Sequence, residues 1–284
     1  MTLEKDFVIR TMGRDDLELA VDWAADEGWN PGIKDADCFY NSDPQGFFIG
    51  ELAGQPVGCI SAVTYGEAFG FLGFYIVKPE YRRQGYGIRL WKKAMSHMGD
   101  RVVGLDGVPA QQNNYIKSGF HTAYRNLRFE GVGNGCGRKS KELVDLAALP
   151  LTGLLSYDKP LFPAARRAFL EKWIKPGSGA ALGYVGNARL EGYGVIRACR
   201  YGYKIGPLFA DTEPIAGTLL EGLMGNIEAG APVFLDVPHI NAPAINLAES
   251  LAMRAVSETV RMYCGGPPSV DLERIYGVTS LELG

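Results

Sequence analysis

Residues 70–98, GFLGFYIVKPEYRRQGYGIRLWKKAMSHM, change physical character twice. Phe71 to Val77 is a short apolar run rich in aromatic and β-branched residues, which predicts a buried strand. Pro79 then ends strand pairing because it has no N–H to donate. From Ile88 onward, apolar residues recur at helical spacing. The stretch therefore predicts a strand, a turn and an amphipathic helix.

The predicted turn, Arg82 to Gly87, has the chemistry of an anion site. Its arginines supply positive charge, the first N–H groups of a helix lack intrahelical acceptors, and glycine lets a ligand approach the backbone. Other phosphate motifs fit poorly. A Rossmann loop needs glycine at residue 90, which is Leu90, and Arg138 breaks a near match to a Walker A loop at residues 133–140. The alternative is a tight turn with solvated arginines.

This segment resembles the acyl-CoA signature of the GNAT superfamily of N-acetyltransferases, Gln/Arg-x-x-Gly-x-Gly/Ala. Arg82, Gly85 and Gly87 occupy its fixed positions. A second segment, Tyr115 to Phe120, is similar to the end of the late helix in that superfamily. The predicted element order of the first 130 residues, β-α-β-β-β-α-β-α-β, is that of a GNAT domain. The resemblance implies an α/β (α+β) fold with a mixed central sheet flanked by helices.

The rest of the chain shows a similar predicted order of strands and helices, with a weaker pattern. We expect a GNAT catalytic domain at 1–130, a glycine-rich linker at 131–140 and a second GNAT-like module at 141–284. A helix is expected over 162–173. Between the strand predicted at 204–209 and the helix at 215–227, Asp211 and Glu213 stand where a CoA loop would need glycines and positive charge. Two carboxylates would repel a pyrophosphate, so the second module is not expected to bind CoA.

Composition excludes several classes of protein. The 284 residues carry a net charge of −3 and no long basic run, so nucleic-acid binding is not expected. The N-terminus has no secretory pattern and no apolar stretch is long enough to span a membrane, so we expect a cytoplasmic protein. The five scattered cysteines and three histidines have no metal-ligand spacing, so we expect reduced thiols and no metal. Whether the chain forms a homodimer stays open.

The resemblance also implies site residues for acetyl-CoA as the acyl donor. The donor-binding positions are the end of the motif strand, the loop and the late helix: Tyr75, Ile76, Val77, Arg82, Arg83, Gln84, Gly85, Tyr86, Gly87 and Asn113. Tyr115 would donate a proton or hydrogen bond to the leaving thiolate. Asp106 follows an apolar strand, which makes it a candidate base; the alternative is a turn-forming Asp-Gly. Glu27, Trp29 and Asp35 would line the acceptor pocket.

Together these features predict direct acyl transfer from acetyl-CoA to a primary amine of a small molecule. No cysteine lies within the motif strand, which disfavours a covalent acyl-enzyme. Two alternatives stay open: an acyl-CoA-binding regulatory module without turnover, and a protein or peptide N-acetyltransferase.

Overall fold

The predicted motif strand lies inside one large mixed sheet. The computed structural model describes residues 7–136 and 140–284. The first half contains β1 (Phe7–Thr11), α1 (Arg14–Asp26), α2 (Asp35–Ser42), β2 (Phe47–Leu52), β3 (Gln55–Tyr65), β4 (Phe69–Val77), α3 (Tyr86–Met98), β5 (Val102–Gly107), α4 (Gln112–Lys117) and β6 (His121–Val132).

The second half repeats that order. It contains β7 (Leu143–Asp145), α5 (Leu151–Asp158), α6 (Arg167–Trp173), β8 (Gly179–Gly186), β9 (Arg189–Ala198), β10 (Tyr203–Ala210), α7 (Glu213–Met224), β11 (Pro232–Pro238), α8 (Ala242–Ser250), β12 (Arg254–Cys264) and a short β13 (Ile275–Gly277). Each element from β1 to β6 has a counterpart six strands later, and each helix from α1 to α4 has one four helices later.

The strand order shows that the two halves exchange their last long strands. The order is β1-β2-β3-β4-β5-β12-β6-β11-β10-β9-β8-β7, and β13 pairs with β10. It reads as a palindrome once each strand is matched to its counterpart. β12 pairs with both β5 and β6, and β6 also pairs with β11. Each half of the sheet is therefore completed by a strand from the other half of the chain.

Three apolar clusters divide the molecule into layers. Helices α3 and α4 cover one face of the first half of the sheet, and α7 and α8 cover the matching face of the second half. The opposite, inner faces of both halves share one core with α1, α2, α5 and α6. Strand alternation explains this division: Phe71 points into the shared core, and its neighbour Leu72 points toward α3.

The mixed α/β fold expected from the sequence is confirmed, with local corrections. The helix expected over 162–173 begins only at Arg167. Helices α2 and α5 and strands β7 and β13 were not predicted. Part of the expected linker, residues 137–139, lies outside the described residues, as does Arg138 of the near Walker A match. The domain boundaries at residues 130 and 141 stay a prediction. In the sheet, β6 and β12 each pair with strands of the other half.

Candidate functional site

A gap opens in the sheet where β4 and β5 separate. The two strands pair in parallel from Phe69–Val102 to Leu72–Leu105 and no further. Just beyond, Phe74 has a left-handed φ of 46°, and the register between β3 and β4 shifts at this bulge. The bulge turns the last residues of β4 away from β5. Backbone groups of β4 are thereby left facing a cleft rather than a neighbouring strand.

The predicted anion loop lies at the end of this strand and opens α3. Gly85 is the N-cap residue of α3 with φ 87°, and Arg83 also has a positive φ of 61°. Arg82, Arg83, Gln84 and Gly85 are exposed. A side chain at Gly85 would meet no atom within 4 Å, so the loop leaves open space above the helix start. Exposed N–H groups, the helix dipole and arginines fit a phosphate-bearing ligand.

Side chains of the loop point in different directions. The Arg82 guanidinium donates to the Val77 carbonyl oxygen at 2.7 Å and forms an ion pair with Glu27. Gln84 Nε2 donates to the Glu80 carbonyl oxygen at 2.8 Å. Tyr86 is buried, and its ring packs 4.7 Å from the ring of Phe7. The structure thus places Tyr86 in the core beneath the loop, while Arg82 joins the loop to the end of α1.

Tyr75 and Tyr115 bring two hydroxyl groups to the same side of the gap. Their rings lie 5.5 and 5.6 Å from the ring of Trp91 on α3. A methyl group at Gly87 would come 2.9 Å from the Tyr75 hydroxyl, so this hydroxyl lies against the start of α3. Burial raises the pKa of each phenol to about 12, so both stay protonated and able to donate at neutral pH. Ile76 is buried on the other face, and Asn113 is exposed in the first turn of α4.

Asp106 lies in β5 with its carboxylate buried in an ion pair. Arg261 from β12 binds both carboxylate oxygens at 2.8 and 2.6 Å, and Asn126 Nδ2 donates to one of them at 2.9 Å. Burial raises the pKa of this carboxyl group, and Arg261 opposes the rise. The structure therefore surrounds the candidate base with hydrogen-bond donors that hold its charged form.

The second half contains the equivalent ion pair. Asp236 of β11 binds Arg128 of β6 through both oxygens, at 2.7 and 2.9 Å. Asp106 and Arg261 are directly opposed across β5 and β12, as Asp236 and Arg128 are across β11 and β6. Because the pair recurs in the half that lacks the loop, its position indicates a role in joining the exchanged strands.

Of the predicted acceptor residues, Glu27 and Trp29 follow α1 and Asp35 begins α2, in a stretch that the second half holds in place. The Trp29 carbonyl oxygen accepts from Arg128 Nη1 and from Lys204 Nζ, both at 3.2 Å. Asn30 exchanges hydrogen bonds with the Tyr201 backbone. Asp35 is buried, with both oxygens bound by Arg197 at 2.8 and 3.2 Å. Glu27 thus lies beside the loop at the start of α3 through its ion pair with Arg82, and Trp29 lies against Arg128 and Lys204. The Asp35 carboxylate is directed into an ion pair with Arg197.

A cysteine that sequence reasoning did not place also lies at the gap. Cys59 is on β3, opposite Ile76, and its Sγ donates to the Phe74 carbonyl oxygen at 3.1 Å. Burial raises the pKa of this thiol well above its ordinary value. Cys59 is therefore a buried neutral thiol that donates a hydrogen bond to a backbone carbonyl oxygen of the bulge.

The corresponding gap in the second half is filled by the chain itself. β10 and β11 pair in parallel only from Tyr203–Val233 to Ile205–Leu235, then separate. β13 occupies the space and pairs with Leu208 and Phe209 of β10, and Val278 N–H donates to the Asp236 carbonyl oxygen at 2.9 Å. Arg274, just before β13, binds Asp211 at 2.6 Å at the strand–helix crossover. Sequence periodicity gave no signal for β13, which has three residues.

Comparison with known proteins identifies the fold family. The acetyltransferase (GNAT) family profile matches residues 16–120, and an acetyltransferase (GNAT) domain profile matches residues 154–277. The chain is 32% identical over 272 residues to holothin acyltransferase of Pseudoalteromonas sp. (strain SANK 73390), covering 95% of this chain and 92% of that protein. The chain belongs to the GNAT superfamily. It carries two GNAT domains in tandem, as the sequence resemblance implied.

Other relatives agree with this assignment. An uncharacterized N-acetyltransferase, YitH of Bacillus subtilis (strain 168), is 24% identical over 203 residues, covering 68% of this chain and 70% of that protein. A putative acetyltransferase from Pyrococcus horikoshii shares the GNAT fold with a TM-score of 0.83 at 22% identity, covering 99% of this chain and 96% of that one. A tandem GNAT protein from the clavulanic acid biosynthesis pathway has a TM-score of 0.63 at 15% identity, covering 92% and 99%.

The described residues contain neither a cluster of metal ligands nor a helix suited to a membrane. Within residues 7–136 and 140–284, no group of three or more His, Cys, Asp or Glu side chains could hold a metal ion. In the same part of the chain, no helix has both the length and the apolarity needed to cross a bilayer.

Proposed function

We propose that this GNAT protein transfers an acetyl group from acetyl-CoA to a primary amine of a small molecule, by direct attack in a ternary complex. The observation that carries the proposal is the gap between β4 and β5. The exposed loop at the start of α3 and the Tyr115 ring lie on one side of it, and the shared inner core and the Trp29 loop lie on the other.

The loop would bind the phosphates of the donor, and the gap would receive its thioester. Arg82, Arg83 and Gly85 present charge and open backbone at the helix start. Tyr75 to Val77 lie beyond the last β4–β5 pair, and the backbone N–H groups that this stretch directs away from β3 would serve the acyl oxygen. Donor and acceptor would then meet through the sheet, with the leaving sulfur on the side of Tyr115.

Tyr115 would complete the departure of the thiolate. Its pKa of about 12 keeps the phenol protonated, and a phenol can donate to a thiolate whose conjugate acid has a pKa near ~8.5. The acceptor amine must lose a proton, because an alkylamine of pKa near ~10.4 is almost entirely charged at pH 7. A base on the acceptor side is therefore needed, and Asp106 is held in its ion pair with Arg261.

Three observations support, in turn, a small acceptor, transfer to nitrogen and direct attack. Among the described residues, the inner face packs against α1, α2, α5, α6 and the residues after β13, and this cover favours a small acceptor over an extended peptide. Relatives are named as an acyltransferase of holothin and as an N-acetyltransferase, which supports acyl transfer to nitrogen. Cys59 stays a thiol in the bulge, which supports direct attack over a covalent intermediate.

The test is a titration with acetyl-CoA followed by a thiol-release screen over amino acids, amino sugars, polyamines and peptides. We expect calorimetry to show binding, and free CoA to appear with a subset of the small amines. Binding without release from any amine would favour an acyl-CoA-binding regulatory module. Release with peptides alone would favour a protein acetyltransferase.

A further inference from the structure

The segment after β13 crosses the inner face from one gap to the other. Thr279, Ser280, Glu282 and Leu283 are each at most 3% exposed. At Gly206, beside the second gap, a methyl group would come 2.4 Å from the Thr279 carbonyl oxygen. Near the other end, the Tyr65 hydroxyl donates to the Leu283 carbonyl oxygen at 3.0 Å. The segment is therefore a fixed wall of the inner face.

Glu282 lies on this wall directly against the first gap. A methyl group at Gly73 would come 2.0 Å from the Glu282 carbonyl oxygen and 3.0 Å from its Cα atom. Gly73 is the first residue of β4 beyond the last pair with β5. Leu283, the next residue, belongs to the shared inner core, whereas Tyr115 packs with the core under α3. The Glu282 backbone thus meets β4 beside the gap on the inner face, and Tyr115 lies on the opposite face of the sheet.

The carboxylate of Glu282 differs from the other buried carboxylates of this face. Asp35, Asp106 and Asp236 are each bound through both oxygens by an arginine. Among the described residues, no cation forms an ion pair with Glu282, and Ser280 Oγ donates to its Oε2 at 2.7 Å. Buried carboxylates without a paired cation are costly and concentrate at functional sites.

The charged neighbours of Glu282 connect it to the acceptor loop. Arg128, Arg197 and Lys204 act on it at longer range, and the first two are already paired with Asp236 and Asp35. Lys204 is buried, and its Nζ donates to the Trp29 carbonyl oxygen. Trp29 is only partly buried, so this charged cluster reaches the surface at the loop expected to receive the acceptor.

We propose that Glu282 is the general base of the acyl transfer, an inference that rests on the proposed function. The Glu282 carboxylate takes one proton from the acceptor ammonium, and the neutral nitrogen forms the new C–N bond. The C–S bond breaks, and the thiolate takes a proton from Tyr115. The proton that the nitrogen sheds after attack returns the phenol to its neutral form through solvent. The catalytic pair is then supplied by both halves of the chain.

Two amines of different basicity separate a base from a merely structural residue. Hydroxylamine is largely neutral at pH 7 and needs no base before attack. The second probe is the alkylamine that the wild type acylates fastest in the thiol-release screen, which is protonated at pH 7. Glu282→Gln keeps the size of the side chain and its contact with Ser280. Glu273→Gln, an exposed residue before β13, is the matched control.

For Glu282→Gln we expect kcat/KM with the alkylamine to fall by about 10²–10⁴-fold, and with hydroxylamine by less than about tenfold. Acetyl-CoA affinity stays unchanged, and Glu273→Gln behaves as wild type with both amines. Equal losses with both amines would make Glu282 structural, and no loss with either would remove it from the mechanism. A wild type that acylates no amine would instead remove the proposed function, and this inference with it.

Discussion

At the scale of single residues, the loop at the start of α3 depends on two glycines for different reasons. Gly85 has a left-handed backbone with open space around it, whereas Gly87 has Tyr75 behind it. A side chain at Gly85 therefore meets backbone strain of about 1–2 kcal/mol, and one at Gly87 meets a collision. The strain at residue 85 is a property of the loop backbone. The collision at residue 87 is with the Tyr75 hydroxyl, so removing that hydroxyl would relieve it.

We expect Gly85→Glu and Gly87→Glu to abolish acetyl-CoA binding, because each brings bulk and negative charge to the proposed phosphate site. Gly87→Ala should weaken binding, since its methyl group would come 2.9 Å from the Tyr75 hydroxyl. Adding Tyr75→Phe to Gly87→Ala should restore much of the affinity. Calorimetry measures all four variants. Unchanged affinity in both glutamate variants would exclude this loop as the donor site.

The ion pair between Arg82 and Glu27 predicts competition with the donor. Both side chains are partly exposed, so the pair itself contributes at most about 1 kcal/mol. Glu27→Gln removes a negative charge beside the loop and frees Arg82 for a phosphate. We expect acetyl-CoA to bind about two- to fivefold more tightly to this variant at low salt. The difference should shrink in high salt, and weaker binding at low salt would contradict the predicted competition.

Tyr115 is expected to act after the donor is bound. Tyr115→Phe keeps the ring against Trp91 and Gly107 but removes the hydroxyl group. We expect kcat to fall by at least about tenfold while the KM for acetyl-CoA changes little, because this hydrogen bond strengthens only as charge develops on sulfur. Tyr75→Phe on β4, which removes the other hydroxyl group beside Trp91 at a position expected to bind the donor, is the comparison variant. A Tyr115→Phe variant with wild-type kcat, where chemistry limits the rate, would exclude the role.

At the scale of elements, two equivalent glycines seat the segment after β13. Gly73 precedes the bulge of β4 and Gly206 occupies the matching place in β10, and each touches the backbone of residues 278–282. Backbone cannot move aside as a flexible side chain can. One continuous segment therefore runs along the inner face of the sheet beside both gaps.

Gly73→Ala and Gly206→Ala should each lower the free energy of unfolding by about 1–3 kcal/mol or more, because the new methyl groups would lie within 2.0 and 2.4 Å of carbonyl oxygens. Gly153→Ala in α5, where a methyl group meets no atom within 4 Å, is the control and should stabilise by about 0.4–1 kcal/mol. Denaturant unfolding gives all three values. Neutral effects at Gly73 and Gly206 would show that the segment does not sit on the sheet.

At the scale of the whole molecule, the exchanged strands make the two halves interdependent. A fragment ending near residue 136 lacks β12 and so exposes edges of β5 and β6, including Asp106 without Arg261. A buried carboxylate without its arginine is strongly destabilising. We therefore expect the two GNAT domains to unfold as one cooperative unit, although sequence profiles match them separately.

We expect residues 1–136 and 140–284 to be unfolded or aggregated when expressed alone, and to form a soluble complex when co-expressed. The complex should bind one acetyl-CoA per pair, because β13 fills the second gap. Circular dichroism and calorimetry test both statements. A first fragment that folds alone would show that β12 is dispensable, and a stoichiometry of two would show that the second gap opens to the donor.

The sequence by itself determined the family, the strand–turn–helix around the loop at the start of α3, and most strands of both halves. Those features are local: an apolar run of residues 71–77, a proline stop, two glycines and a helical repeat each specify their own conformation. The position of Tyr115 beside the gap followed from a motif of the same kind. The rise in its pKa did not, because burial comes from Trp91 on α3 and Gly107 on β5, which only the folded chain brings against the ring.

Only the tertiary structure decided which charges meet. Asp106 and Asp35 looked like free carboxylates because their arginine partners lie 155 and 162 residues away. Exchange of β6 and β12 cannot be read from strand periodicity, since either pairing satisfies the same alternation. Nor does any local pattern place Glu282 beside Gly73, 209 residues earlier in the chain by their numbers. The sequence gives the chemical type of each side chain. Long-range packing decides which side chains become its neighbours, and those neighbours determine its role.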